Sequence, residues 1–551
     1  MLGKRLLTSI AAGMLMAAAG TAGAAANFDA DVATSIDKGL AWLDSQNCYG
    51  GAGGTTFSCG DATGLALLAL LEKRPAADAD SQGYSDASDA DKARMRRTVR
   101  YIINSINSQS TFASYRDGAY MMALSVYMRT GGPDKDDGPT TELDGAPLTL
   151  KQAIDKVFDR SIAAQLKGLP DAAAPWPASN GYWYYYSVGT NPTPGDYRDS
   201  STTQLVVAGL AAARGVYIAG TYADAVRATQ LDQATVLART AYERNGTAGG
   251  NCTADPQPSN EKGHGYNAGE IGSYYTNSSQ QTASGLWIQL AGGSSLNNSN
   301  VQGYLRWLRH RYRYTDILTG GVGTTTYFGD YSYWYYLWSS FKAYQFLADS
   351  KAVPSAGNIG VADIGTLPAA SAPACTARQV HLDPTAVPRI AQFGAGAAGY
   401  YGDETPRVYF DYAYTIMGYQ CSSGFYGCGS PSRWDSWAEQ AYALLVLQRS
   451  VGGGCLDSDR DGICDSSDDV IIEPPPSGGG LYCDQPTDNN AIVDLADTLA
   501  IGKILGGQPS VQVTPATLWA NYVTDSVISR ADYEACYKVL AKRPGFPPKS
   551  Y

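Results

Sequence analysis

The chain has 551 residues, a net charge of −11 and only 17% charged residues, while 39 tyrosines supply most of an 11% aromatic share. That length leaves room for a large core and one or two small modules. The negative balance argues against a nucleic-acid partner, since phosphates demand a basic face.

Met1–Arg5 is basic, Leu6–Ala19 is apolar, and Ala24–Ala26 offers a small-residue cleavage pattern. Residues 1–26 are therefore expected to be a secretory signal, placing the mature chain in the periplasm or outside the cell. Beyond them, no stretch approaches the roughly eighteen uninterrupted apolar residues of a membrane span. Ten cysteines suit an oxidising compartment. Local pairing is expected for Cys48/Cys59, Cys421/Cys428, Cys455/Cys464 and Cys483/Cys536, which leaves Cys252 and Cys375 as a long-range pair. No two cysteines have the C-x2-C spacing, which disfavours zinc.

From residue 27 onward two kinds of helical segment alternate. Ile36, Leu40 and Leu43 fall at helical spacing, as do Val99, Ile102, Ile103 and Ile106, then Ile154, Val157, Phe158 and Ile162, with further copies over 231–242 and 301–312. Each is apolar on one stripe. Between them recurs a different segment, apolar all round, with copies expected near 62–73, 117–129, 201–213, 281–290, 333–347 and 436–448. Gly60-Asp61-Ala62-Thr63-Gly64-Leu65 opens the clearest copy. A striped helix lies outside and an all-apolar one is enclosed. A repeated unit unable to bury its own face must stack on its neighbours. The expected fold is all-α, an (α/α)6 toroid over 27–450 with an outer and an inner ring, whose long loops gather at one rim.

The copies Gly60–Leu71, Ser200–Ala213 and Gln280–Leu290, preceded by Gly-x-Trp/Tyr loops, resemble the repeats of the squalene cyclase and prenyltransferase toroid family. The resemblance covers about residues 30–450 and implies the fold. The chemistry of that family is not implied with it. No Asp-x-Asp-Asp run lies on an apolar helix; Asp134-Lys135-Asp136-Asp137 follows Gly131-Gly132-Pro133 in a polar insertion. The three histidines have no cysteine near them for a prenyltransferase zinc site, the Gly-Cys-Gly-Glu-Gln thioester run is absent, and so is a Gly-x-Ser-x-Gly elbow. A terpene cyclase is therefore the least favoured reading.

After residue 450 the composition changes. In 451–480, Asp457, Asp459, Asp461, Asp465 and Asp468 stand at the spacing of a calcium loop, with Gly462 at the sharp turn, followed by a Pro- and Gly-rich linker. This run resembles a single type 3 thrombospondin repeat, and a structural Ca2+ is expected there. Residues 481–551 carry two loop-then-helix half-motifs, at Val493–Asp497 and Ile528–Asp532, that resemble a degenerate dockerin-like module. Such a module implies a possible protein partner.

Aromatic loops carry the remaining signal. Trp183, Tyr184, Tyr275, Tyr333 and Trp334 are expected to line a rim that suits sugar rings. The function expected is binding of an extracellular glycan or cell-surface polymer. The alternative is a polysaccharide lyase or other glycan-active enzyme on the same rim, with His264, Tyr266 and Asn267 as its catalytic group and Tyr184 or Tyr275 and Arg309 converging on it. A structural surface component is the third reading. The calcium expectation is checked by titrating the full chain with Ca2+ in a calorimeter: one site is expected, Asp461→Ala should abolish it, and equal binding of Mg2+ would refute it.

Overall fold

The computed structural model describes residues 27–51, 53–75, 79–137, 142–167, 180–187, 199–218, 220–248, 261–266, 277–317, 329–367, 378–393 and 400–454, and in the tail 483, 501, 505, 510–512, 520 and 527–540. Helices dominate it. They are α1 (Phe28–Ser45), α2 (Thr63–Leu71), α3 (Asp89–Ser108), α4 (Ser114–Arg129), α5 (Leu150–Ala164), α6 (Ser200–Tyr217), α7 (Ala225–Asn245), α8 (Ser279–Ala291), α9 (Ser299–His310), α10 (Tyr333–Asp349), α11 (Val408–Gly418), α12 (Ser436–Leu447) and, in the tail, α13 (Arg530–Leu540). Among the described residues strands are limited to two short antiparallel pairs, β1 (Thr247–Ala248) with β2 (Lys262–Gly263) and β3 (Ser510–Gln512) with β4 (Val527–Ser529). Among the described residues no helix is long and apolar enough to cross a membrane.

The helix starts follow from capping chemistry. Ser88, Asp199, Asp224, Ser278, Asn298 and Asp435 each accept a bond from a backbone N–H of the following first turn. Thr149 and Gln152 form a reciprocal capping box at the start of α5. Asp134 supplies a further acceptor to the N–H groups of Lys135 and Leu150. The acidic run at 134–137 thus borders the start of α5 and is loop structure.

Every residue of α2 is buried, and α6, α8, α10 and α12 are buried almost throughout. In contrast, α3 buries Met95, Val99, Ile102, Ile103 and Ile106 along one stripe, and α5 does the same with Ile154, Val157 and Phe158. The all-apolar segments read from the sequence are the even-numbered helices. Their packing runs α2 on α4, α4 on α6, α6 on α8, α8 on α10, α10 on α12, and α12 back on α2. The odd-numbered helices pack against this closed cycle, with α1 between α11 and α12 and α5 beside α4 and α6. α11 carries no signal in the sequence reading. Val408-Tyr409-Phe410 opens it without a side-chain cap and with residues that favour strands as much as helices.

Small residues set how close the even helices come. A Cβ at Gly118 would lie 2.3 Å from the Leu205 carbonyl oxygen, and one at Gly209 would lie 2.8 Å from the Gly118 carbonyl oxygen. A Cβ at Gly64 would lie 2.7 Å from the backbone of Ala119. After α12 the chain turns back over the cycle. Gly453, at φ +79°, leaves its carbonyl to the Arg129 guanidinium at 2.7 Å, and a Cβ there would strike Val126 of α4 at 2.1 Å. Disulfides join Cys48 to Cys59, Cys421 to Cys428 and Cys483 to Cys536, three of the expected local pairs and fitting for an exported chain.

The tail has its own small core of Cys483, Ile501, Ala520, Ile528, Ala535, Cys536 and Val539. Asp532 there accepts the Ser529 N–H at 2.9 Å, so this carboxylate serves the start of α13. The calcium-loop residues Asp457, Asp459, Asp461, Asp465 and Asp468 lie outside the described residues.

Gly118→Ala provides a test of the close α4–α6 contact. On an open helix the change would stabilise by about 1 kcal/mol. Here overpacking should reverse the sign and destabilise by roughly 1–3 kcal/mol. A thermal melt with an unchanged or raised midpoint would contradict the packing.

Candidate functional site

The starts of the even helices meet at one end, tied by side-chain hydroxyls. Tyr115 in the first turn of α4 bonds Ser201 of α6 at 2.9 Å, and Ser200 donates to Gln281 of α8 at 2.5 Å. Tyr335 of α10 reaches the Ser201 carbonyl at 3.1 Å and bonds the Ser284 hydroxyl of α8 at 2.9 Å. Its ring also meets that of Tyr442 from α12, 6.4 Å between centroids. Below this floor the amide oxygen of Gln204 takes bonds from Ser284, Tyr335 and Ser339 together. The even helices are thus stitched across by hydroxyl–amide chemistry where pure hydrocarbon would carry no direction.

Above the floor lie half-buried and exposed rings. Tyr185 and Tyr266 share a 2.7 Å hydroxyl bond, and Tyr184 meets Tyr185 edge-on at 5.3 Å. Tyr186, 65% exposed, bridges to Ala113 just before α4. Tyr331, 45% exposed, precedes α10, and Trp434, 61% exposed, precedes α12; their ring centroids are 5.0 Å apart. Exposed large rings therefore stand beside the starts of three even helices. Tyr331 and Trp434 stand two residues before the all-apolar segments at 333–347 and 436–448, where nothing in the spacing marks a ring as exposed; Tyr186 is hidden in a run of neighbouring tyrosines.

Several expected rim residues have other places. Trp183 is fully buried, its indole N–H donating to the Ser161 carbonyl at 2.7 Å and its backbone N–H to Thr203 at 3.0 Å. Tyr333 is fully buried with its hydroxyl on the Tyr314 carbonyl, and Trp334 is fully buried beneath the Arg433 guanidinium at 4.3 Å. The expectation of exposed faces at these three is corrected: large rings one or two residues into a wall fill it. His264 is also buried, not on a solvated loop. Its Nδ1 meets the Gly265 carbonyl at 2.7 Å, its Nε2 meets the Tyr182 hydroxyl at 3.0 Å, and its ring stacks on Tyr242 at 4.3 Å. Burial drives its pKa down to about 3, so it is a neutral packing group at working pH. Tyr266 is at the right end, but burial and then the Asp199 charge hold its hydroxyl far above the usual range, which opposes a role as base. Arg309 donates to the Asp363 carbonyl at 3.0 Å. Asn267 and Tyr275 lie outside the described residues.

Charged groups that the sequence reading passed over gather at the same end. Glu439, in the first turn of α12, is 2% exposed; its Oε1 accepts the Trp434 N–H at 2.9 Å and its Oε2 has no hydrogen-bond partner. Burial, only partly offset by that bond and by Arg433, pushes it up to about 8. The Arg433 guanidinium lies between Trp334 at 4.3 Å and Phe425 at 4.5 Å, with none of its nitrogens hydrogen-bonded. Asp61 is exposed on the short turn Gly60–Ala62, which packs on both α4 and α12. No group of three or more His, Cys, Asp or Glu suited to a metal occurs among the described residues. Deeper along α10, Lys342 is fully buried without a hydrogen-bond partner, its ammonium 4.0 Å from the Trp287 ring centre and 4.1 Å from that of Trp338. Burial holds its pKa well below the lysine range.

No family model matches the chain, and no curated protein or solved structure matches it either.

Lys342 yields a stability test. Because burial lowers its folded pKa, the unfolded chain binds more protons than the folded one between that value and about 10.4, the ordinary lysine value. Stability contributed by this site therefore rises with pH through that window. Lys342→Met should stabilise by roughly 1–3 kcal/mol at neutral pH, the cost of an unpaired buried polar group. That gain should shrink in melts as pH approaches 10. A variant less stable than the parent at pH 7 would mean that the two tryptophan faces outweigh the burial cost.

Proposed function

We propose that residues 30–450 form an α/α toroid of the squalene cyclase and prenyltransferase kind, and that its mouth binds an extracellular glycan or cell-surface polymer. The closed contact cycle of α2, α4, α6, α8, α10 and α12 supports the toroid. One observation carries the binding reading: Tyr186, Tyr331 and Trp434 stay exposed at the starts of α4, α10 and α12, over a floor of tyrosine and serine hydroxyls. Flat apolar faces beside hydroxyl donors and acceptors match the faces and edges of sugar rings. A Trp ring that exposed also loses free energy to water until something covers it.

With this reading goes a secreted location, a Ca2+ at Asp457, Asp459, Asp461, Asp465 and Asp468 that stiffens the linker, and a protein partner for the tail. The lyase alternative asks for a tyrosinate at Tyr266, and burial beside Asp199 weighs against it.

Covering about 100 Å2 of the Trp434 and Tyr331 faces would stabilise a complex by roughly 2.5 kcal/mol. The double variant Trp434→Ala/Tyr331→Ala should therefore weaken retention on the polymer it binds, among cellulose, chitin, xylan, mannan and peptidoglycan, by about 10- to 100-fold. Its melting midpoint should hardly move, because both rings lie outside the core. Unchanged retention, or no retention by the parent on any of these polymers, would defeat the reading.

A further inference from the structure

We infer that this mouth also cleaves glycosidic bonds by hydrolysis, with Glu439 as the general acid and Asp61 as the carboxylate that takes the proton of the attacking water. The inference rests on the glycan-binding reading of the same end.

Three features of Glu439 are not required by packing alone. Its Oε1 is fixed by the N–H of Trp434, whose ring is 61% exposed at this end, so the acid is tied to the proposed sugar platform. Its Oε2 is buried and unbonded, although an unsatisfied buried oxygen costs about 1–3 kcal/mol. Arg433 stands close enough to act on it electrostatically, yet the two form no ion pair; the guanidinium is instead clamped between Trp334 and Phe425. A carboxyl with one oxygen held by backbone N–H groups and the other left unbonded, beside a cation that is held away from it, keeps that second oxygen for something else. If acceptance from Trp434 were its whole role, a glutamine would serve equally well.

Asp61 supplies the opposite partner. It lies on the turn before α2 that touches α12, it is solvent-exposed, and no protein group hydrogen-bonds its carboxylate among the described residues. The charges around the pair are Arg116, Asp117 and Asp435 beside Asp61, and Arg433 and Asp435 beside Glu439, with Tyr442 and Tyr335 next along the floor. Two carboxyls in unlike surroundings, Glu439 enclosed and Asp61 on an exposed residue whose carboxyl is only partly desolvated, take the acid and base roles of sugar hydrolysis.

The step balances without a cofactor. The Glu439 proton passes to the glycosidic oxygen, and the bond from that oxygen to the anomeric carbon breaks with its electron pair leaving on the alcohol product. Water oxygen bonds the anomeric carbon and its proton passes to Asp61. One water is consumed per bond, and exchange with solvent returns Glu439 to the acid and Asp61 to the carboxylate.

The full chain is incubated with xylan, mannan, cellulose, chitin, peptidoglycan and starch while bound protein and newly formed reducing ends are both measured. Glu439→Gln should keep retention and melting midpoint and lose about 10²- to 10⁴-fold in cleavage. On dinitrophenyl glycosides, whose leaving group needs no proton, that variant should keep most of the parent rate, whereas Asp61→Asn should lose both substrates. The parent rate should fall as pH rises through about 8, where Glu439 gives up its proton. Full cleavage by Glu439→Gln, or equal loss on both substrates, would overturn the inference. Retention without cleavage by the parent would sink it and leave the binding reading standing; neither retention nor cleavage would sink both.

Discussion

The whole molecule depends on helices that have no polar face. α2 is buried at every position, and α6, α8, α10 and α12 nearly so. Such a helix is stable only when surrounded, and its neighbours on two sides are other helices of the same kind. The closed cycle of contacts is the arrangement in which each has two like neighbours and an odd-numbered helix behind it. Glycines at 64, 118 and 209 let the backbones approach closely enough for that cycle to shut.

Closing the cycle also decides where polarity goes. Hydroxyls and amides cannot face outward from these helices, so Ser284, Tyr335 and Ser339 all bond the Gln204 amide oxygen across the middle. Groups without a partner stand out against that economy. Glu439 and Arg433 lie at the end where the helices start, and Lys342 lies deeper between two tryptophans. Local rules are broken most often where function is built, and Glu439 and Arg433, two among several buried side chains with unbonded polar atoms, lie beside the exposed Trp434.

Much of the fold was legible because burial on all sides leaves a compositional mark. The runs at 62–73, 201–213 and 436–448 are apolar regardless of phase, and each became an even helix. α11 left no such mark, since tyrosine and phenylalanine at 409, 410 and 412 suit strand and helix alike. The site was legible only by region. Tyr184 and Tyr266 reach the expected end, but sequence spacing cannot tell a ring that caps a wall from one that fills it. Trp334 and Tyr331 are three residues apart; the first is buried under Arg433 and the second faces water. The environment of Glu439 was invisible for a similar reason, because the neighbouring Arg433 is held by Trp334 and Phe425, which are distant or unremarkable in the chain.

Hydrogen–deuterium exchange on the full chain, with and without the polysaccharide it retains, tests the central claim most directly. Protection should appear in peptides covering 113–117, 183–187, 329–335 and 433–439, at the shared end of the even helices. Protection confined to the striped helices α3, α5 and α7, or to the tail beyond 480, would place the binding surface elsewhere and contradict the account.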